Sequence, residues 1–241
     1  MSNQRLDKTL SARGFGSRKE IAALARTGQV KVNGQAARDA SVKIDTDSDE
    51  ITVRGAPVDL REHIYIMLHK PQGVISAARD PRAATVLDLL PQALRRRGLF
   101  PVGRLDKDTT GLLLITDDGT LAHELLSPRR HVPKTYLATL REDAARQDVT
   151  AFAAGLRLPP VEDRPAEHCL PAQLLPLEGK HARVILHEGK YHQVKRMFAA
   201  LGNEVLALHR ESMGPLALDD HLLPGQCREL TGEEMDLLRF L

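Results

Sequence analysis

Tryptophan is absent from this 241-residue chain, and only three tyrosines and five phenylalanines are present. A surface that must stack on a flat partner therefore has few rings to draw on, which gives weight to a tyrosine placed beside basic residues. Cysteine is scarce as well. Cys169 and Cys227 are far apart, fit no metal or redox spacing, and read as free thiols in a reducing, cytoplasmic setting, which excludes a disulfide scaffold. No apolar run approaches membrane-spanning length, and Met1 to Leu10 is polar with no signal-peptide segment behind it. An excess of one charge is also missing. The net charge is +2, so a nucleic-acid partner would have to be met by local patches. Ten histidines invite a metal site, yet none has the acid-flanked i, i+4 spacing of a zinc helix. His187 and His192 are the closest pair, and no metal is expected.

What is present is an ordinary globular composition, 42% hydrophobic and 27% charged, long enough for a core domain plus a small appendage. Residues 1–60 read as the appendage and 61–241 as the core domain. Leu6 and Leu10 lie one helical turn apart before Gly14. Ser17-Arg18-Lys19-Glu20 has capping-box spacing, Ile21 and Leu24 follow as an apolar face, and Gly28 stands at the expected end. Val30 and Val32 flank Lys31 before Asn33-Gly34, a tight-hairpin signal, and Ile51-Thr52-Val53 forms another strand. Charge is divided within this unit. Residues 1–38 carry eight Lys or Arg against two acids, whereas residues 39–60 carry two against six. Arg18, Lys19 and Arg26 fall near one face of the second helix, either a solvated face or a contact surface.

Beyond residue 60 the patterns alternate between strand and helix. Ile64 to Leu68 begins a strand that Lys70-Pro71-Gln72-Gly73 turns back. Lys70 is either a phosphate contact or an exposed turn lysine. Thr85 to Pro91 reads as a short core helix, and Arg95-Arg96-Arg97 as a basic run. Asp117-Asp118-Gly119 caps a helix through Leu125. Arg129 and Arg130 form a second basic patch ahead of a strand with Tyr136, Ala138 and Leu140 on one face. Helices are expected around Val149 to Leu156, over Gln193 to Leu201, and from Thr231 to Leu241; strands are expected over Ala182 to Leu186 and Val205 to His209. The fold class is α+β, on a mixed, mostly antiparallel sheet with flanking helices.

The stretch that organises these elements is Gly103-Arg104-Leu105-Asp106-Lys107-Asp108-Thr109-Thr110-Gly111, followed by the apolar run Leu112 to Ile115. A charged loop between two buried strands is held at both ends, so its side chains can be aimed. Charges pairing with one another in solvent is the plainer alternative. Gly103 to Asp106 with Asp108-Thr109-Thr110-Gly111 resembles the catalytic motif of RNA pseudouridine synthases, in the branch typified by RsuA. Leu68-His69-Lys70-Pro71-Gln72-Gly73 resembles that family's first motif, and Glu188 to Phe198 its third. Lys134-Thr135-Tyr136 falls where the family keeps an active-site tyrosine. The first sixty residues resemble an S4 RNA-binding domain, which the resemblance makes an RNA-backbone surface carrying Arg18, Lys19, Arg26 and Lys31, with Arg129 and Arg130 as further RNA contacts.

The resemblance implies isomerisation of a uridine to pseudouridine in 16S ribosomal RNA, met as free rRNA or in a small-subunit assembly intermediate, by a monomer. Related enzymes acting on 23S rRNA, and a catalytically lapsed RNA-binding assembly factor, are the alternatives. The reaction breaks the N1–C1′ bond, turns the base and rejoins it through C5, so no cofactor, redox group or metal is required. By resemblance Asp106 acts at the ribose, as nucleophile or by assisting proton removal from C2′. Lys195 holds the motif-three basic position and serves as its cationic partner, with Arg196 the competing choice one residue on. Tyr136 stacks on the uracil or moves the C5 proton. Arg104, Lys70, Arg196 and Gln193 are implied to bind the extruded nucleotide.

Overall fold

The computed structural model describes residues 3–46, 48–161 and 164–239. Its chain contacts divide into two compact units, residues 1–64 with 92–99, and residues 65–91 with 100–241. The basic run Arg95 to Arg97 thus groups with the first unit, where Arg96 donates from NH2 to the Glu62 carbonyl at 2.8 Å.

In the first unit, helix α1 (Leu6–Ala12) buries Leu6 and Leu10, and Gly14 follows it at φ +84°. Helix α2 (Arg18–Arg26) starts from a formed capping box, with the Ser17 hydroxyl accepting from Glu20 N and the Glu20 carboxylate accepting from Ser17 N. The strands Val30–Val32 and Gln35–Ala36 are joined by Asn33 and Gly34, both at positive φ, the geometry of a type I′ turn. Ile51–Val53 pairs with Val30–Val32, and Ala56–Val58 closes this sheet. Arg18, Lys19, Arg26 and Lys31 are all exposed.

The second unit is built on one large sheet. Its seven main strands are β1 (Tyr65–Lys70), β2 (Thr110–Thr116), β3 (Lys134–Leu140), β4 (Gln173–Leu177), β5 (His181–Leu186), β6 (Val205–Met213) and β7 (Cys227–Glu229). Their order is β4-β5-β3-β6-β2-β1-β7. Among these described strands every pairing is antiparallel except β6 with β2, which runs parallel at His209 and Arg210 against Thr110 and Gly111. Among the described residues four α-helices accompany the sheet: α3 (Gly119–Leu126), α4 (Arg146–Ala154), α5 (Gln193–Ala200) and α6 (Gly232–Arg239). The expected end of the last helix at Phe240 and Leu241 lies outside the described residues. Asp118 starts α3 by accepting from Thr120 N and Leu121 N. Beneath α3, Met67, Leu112, Leu114, Leu125, Val132 and Met213 belong to one buried cluster.

One expectation fails. Thr85 to Pro91 forms successive turns rather than a helix. The Asp88 carboxylate folds back onto Thr85 N and Oγ1, and Val86 N donates to Ile75 O. The bonds that follow, Asp88 N to Thr85 O and Leu90 N to Leu87 O, close three-residue turns rather than the four-residue steps of an α-helix.

Candidate active site

The loop from Gly103 to Thr109 leaves the short strand Phe100–Pro101 and enters β2, so both of its ends are tied to the sheet. Its interior is fixed from below. The Ser76 hydroxyl, buried, donates to Leu105 O at 2.9 Å and accepts from Leu105 N at 3.0 Å. Lys70 ends β1 with no exposed surface, and its ammonium donates to Thr109 O at 2.8 Å, Pro71 O at 3.0 Å and Lys107 O at 3.4 Å. Gly73 N also donates to Lys107 O. The segment from Lys70 to Ser76 thus holds the loop on both sides of the residue between Leu105 and Lys107.

That residue is Asp106, and its two carboxylate oxygens face different nitrogen groups. Lys195 Nζ lies 3.2 Å from Oδ2 and His192 Nε2 lies 3.4 Å from Oδ1. Lys195 also bonds Asp108 Oδ1 at 2.6 Å, so one ammonium bridges both carboxylates of the loop. Burial opposes the charge on Lys195, but the two carboxylates outweigh it and raise the pKa of the ammonium. Burial likewise opposes ionisation of Asp108, and Lys195 more than offsets it, so this acid is held below its ordinary value.

Asp106 opens into a cleft floored by Tyr136, Leu186 and Leu208 and edged by Arg104 and His192. The cleft holds about 80 Å³ of space, room for several water-sized groups. A larger hollow of about 350 Å³ lies along Ala78 to Pro81 and includes none of the residues around Asp106. The Tyr136 hydroxyl makes no hydrogen bond among the described residues, and Tyr136 is nine-tenths buried with its exposed edge in the cleft.

The structure therefore brings together Asp106, Tyr136, Lys195 and Arg104, all expected from the sequence. Of the other expected residues, Gln193 lines the cleft, and Arg196 and Lys70 do not. Arg196 points away from Asp106 and is buried against Glu167 Oε2 at 2.8 Å, Pro159 O at 2.8 Å and Tyr191 O at 3.2 Å. Gln193, at the cleft, is 4% exposed; it accepts from Lys190 N and donates to Glu188 Oε1, so it also ties the turn before α5. Lys70 sits beneath the loop, neither an exposed turn lysine nor part of the cleft lining. Arg129 and Arg130 are exposed after α3, and Arg130 pairs with Glu124 at 3.2 Å.

His192 and Ser76 were not singled out as site residues by the sequence. His192 caps α5 with left-handed backbone, φ +48°, and its ring stacks on Tyr191 at 3.8 Å between centroids. The Arg164 guanidinium lies 4.6 Å from the Tyr191 centroid on the same aromatic column. Its place three residues before Lys195, in the same motif, was the available signal.

Lys70 also gives the fold a pH dependence. Burial is the main cause lowering its pKa to about 8, with Lys195 adding to this and Asp106 and Asp108 opposing it. Because the unfolded chain holds that proton up to the ordinary lysine value, stability is expected to rise as pH climbs from about 8 toward 10. Chemical denaturation at about pH 7.5 and pH 9.5 should show the rise in the wild type and lose it in Lys70→Met.

Two family models match the chain: RNA pseudouridylate synthase over residues 64–200 and the S4 domain over residues 4–51. The chain is 48% identical over 237 residues to an RNA pseudouridine synthase of Bacillus subtilis described as uncharacterized, covering 97% of this chain and 98% of the relative. It is 42% identical to the ribosomal small subunit pseudouridine synthase A of Yersinia pestis, over 96% of each chain. It is also 39% identical to the ribosomal large subunit pseudouridine synthase B of Bacillus subtilis, over 99% of this chain and 96% of that one. With a loop carboxylate set against a lysine in a cleft floored by tyrosine, and matches of this length, the chain belongs to the RsuA-like RNA pseudouridine synthases, isomerases that carry an S4 domain ahead of the catalytic domain.

Proposed function

We propose that this protein converts one uridine of 16S ribosomal RNA to pseudouridine, acting on the small subunit during its assembly, with Asp106 as the group at the ribose. The observation that carries the chemical reading is the Asp106 carboxylate, held at both oxygens and facing a cleft beside Tyr136. Breaking the N1–C1′ bond leaves C1′ short of electrons, and a fixed anion at that point stabilises the charge as it develops. The same carboxylate serves as nucleophile at C1′ or as partner in removing the C2′ proton. Tyr136 stacks on the freed uracil, and its unbonded hydroxyl is available at the C5 proton. Arg104, exposed at the rim, meets the phosphate of the extruded nucleotide, and the cations of α2 hold the RNA backbone.

The choice of 16S rests on the 42% identity to a small-subunit enzyme. The 39% identity to a large-subunit enzyme keeps 23S rRNA as the second reading. Purified protein incubated with a partly assembled small subunit, free 16S rRNA and free 23S rRNA separates them. Pseudouridine in 16S RNA alone supports the proposal, and pseudouridine in 23S RNA alone overturns it in favour of the second reading.

The cation assignment has its own test. Lys195→Met should lower the single-turnover rate by about 100-fold or more, as loss of a charge-stabilising contact does. Arg196→Met removes a strut to Glu167 and Pro159, so it should lower thermal stability more than it alters the rate of the folded fraction. The reverse pattern would exchange the two roles.

A further inference from the structure

Two more cations lie in the sheet beside the cleft floor. Lys134 and Arg210 are 8% and 2% exposed. Arg210 stands directly opposite Tyr136 across β3 and β6, and Lys134 stands opposite Leu186 across β3 and β5. Directly opposed residues share a sheet face with Cβ atoms roughly 4.5–5.5 Å apart. Lys134 is also two residues before Tyr136 on the same strand, hence on the same face. Tyr136 and Leu186 both line the cleft, so each cation adjoins a floor residue.

Neither cation is neutralised. Lys134 Nζ donates to Val132 O at 2.9 Å and Arg210 Nε to Leu112 O at 2.8 Å. Arg210 NH2 is buried without a partner. Among the described residues no carboxylate stands within ion-pair distance of either. Carbonyl oxygens offer partial charges only, and two unpaired cations in one buried layer are costly. Burial first, and Arg210 second, lower the pKa of the Lys134 ammonium. Residues that served packing alone would be better apolar, so the layer calls for an anion that arrives with the substrate.

The isomerisation generates one. When N1–C1′ breaks, the electron pair leaves with N1 and the uracil carries a negative charge until C5 bonds C1′. The C5 proton is then lost and N1 takes up a proton, so atoms and charge balance. We propose that Lys134 and Arg210 form a buried cationic floor beside Tyr136 that stabilises the departing uracil anion, opposite in sign to the part played by Asp106 at the sugar. This rests on the reading of Asp106 given above. Charges fixed before the reaction act only as the base becomes negative, so they favour the transition state over bound uridine.

Substituting the leaving group separates this role from a structural one. Single-turnover consumption of the target nucleotide would be followed in saturating RNA carrying uridine or 5-fluorouridine at that position. Fluorine withdraws electrons and stabilises the same anion from within. Lys134→Met and Arg210→Gln should each lose about 100-fold on uridine, with RNA affinity within about threefold of wild type, and the loss should shrink at least about tenfold on 5-fluorouridine. Lys134→Arg, which keeps the charge, should stay within about tenfold of wild type on both. If Lys134→Met does not fold, Lys134→Gln, which can still donate to Val132 O, replaces it. Equal losses on the two substrates, or a Lys134→Arg defect as large as that of Lys134→Met, would overturn the inference and leave the Asp106 reading intact. No turnover by the wild type, or full turnover by Asp106→Asn, would overturn both.

Discussion

Asp106→Asn is expected to abolish pseudouridine formation while leaving the protein folded and bound to RNA. The substitution keeps the shape of the side chain, and its amide oxygen still accepts from Lys195, so the loop held by Ser76 and Lys70 has no reason to move. What disappears is the negative charge opposite C1′. Removing the central reacting group of an enzyme site costs about 10⁴-fold or more in rate, and a loss of that size is expected here. Affinity for RNA should be unchanged or slightly higher, because a negative charge near the phosphates is gone. Release of tritium from uracil C5 measures the reaction, and filter binding measures the affinity. A rate within about tenfold of wild type would remove Asp106 from the chemistry.

Gly111→Ala should be the most damaging single change to the catalytic unit. Gly111 enters β2 at φ +105° where β2 runs parallel to β6, and the two backbones touch. A Cβ there would lie 2.3 Å from Arg210 O and 2.5 Å from Arg210 N. These are main-chain atoms in the middle of the sheet, so no side chain can swing aside. Strain at that φ adds to the overlap. The expected loss is about 4 kcal/mol or more, in the exceptional range for one substitution. For a unit of this size that corresponds to a fall in melting temperature of at least about 8 °C, or to insoluble protein. Calorimetry should show the fall in the transition of the catalytic unit, since two compact units need not melt together. A melting temperature within about 2 °C of wild type would mean that the strands part more easily than their contacts imply.

Much of this architecture was legible because it is written in local chemistry. Ser17 with Glu20 and Asp118 before Gly119 satisfy backbone groups within a few residues, Asn33 with Gly34 supplies the positive φ of a tight turn, and each produced the expected element. The alternation around Tyr136 gave β3 its buried face, and the helical spacing of Val194, Met197 and Phe198 gave α5. The same pattern separates Lys195 from Arg196, which point about 100° apart on a helix. It does not say which of them faces the loop. That depends on how α5 lies against the loop that carries Asp106, a contact between segments nearly ninety residues apart.

The features that were missed share this dependence on distant or unusual backbone. Thr85 to Pro91 has helical spacing, but Thr85 and Val86 are drawn to the distant Ile75 and the segment closes as successive turns. His192 reaches Asp106 from a left-handed residue, which no periodic pattern describes. Lys70 lies at the end of an apolar strand, and only the folded loop shows that its ammonium is enclosed by three carbonyls. Lys134 shares the phase of Tyr136 and Ala138 in the alternation, so a lysine on a buried face was visible in the pattern. Its neighbour Arg210, from a strand some seventy residues later, was not.

Pseudouridine mapping of ribosomal RNA by carbodiimide modification and primer extension, in cells lacking this gene and complemented with wild type or Asp106→Asn, tests the central claim most directly. The expected result is one 16S pseudouridine that vanishes on deletion, returns with the wild type and stays absent with Asp106→Asn. An unchanged pattern after deletion, or restoration by Asp106→Asn, would contradict it.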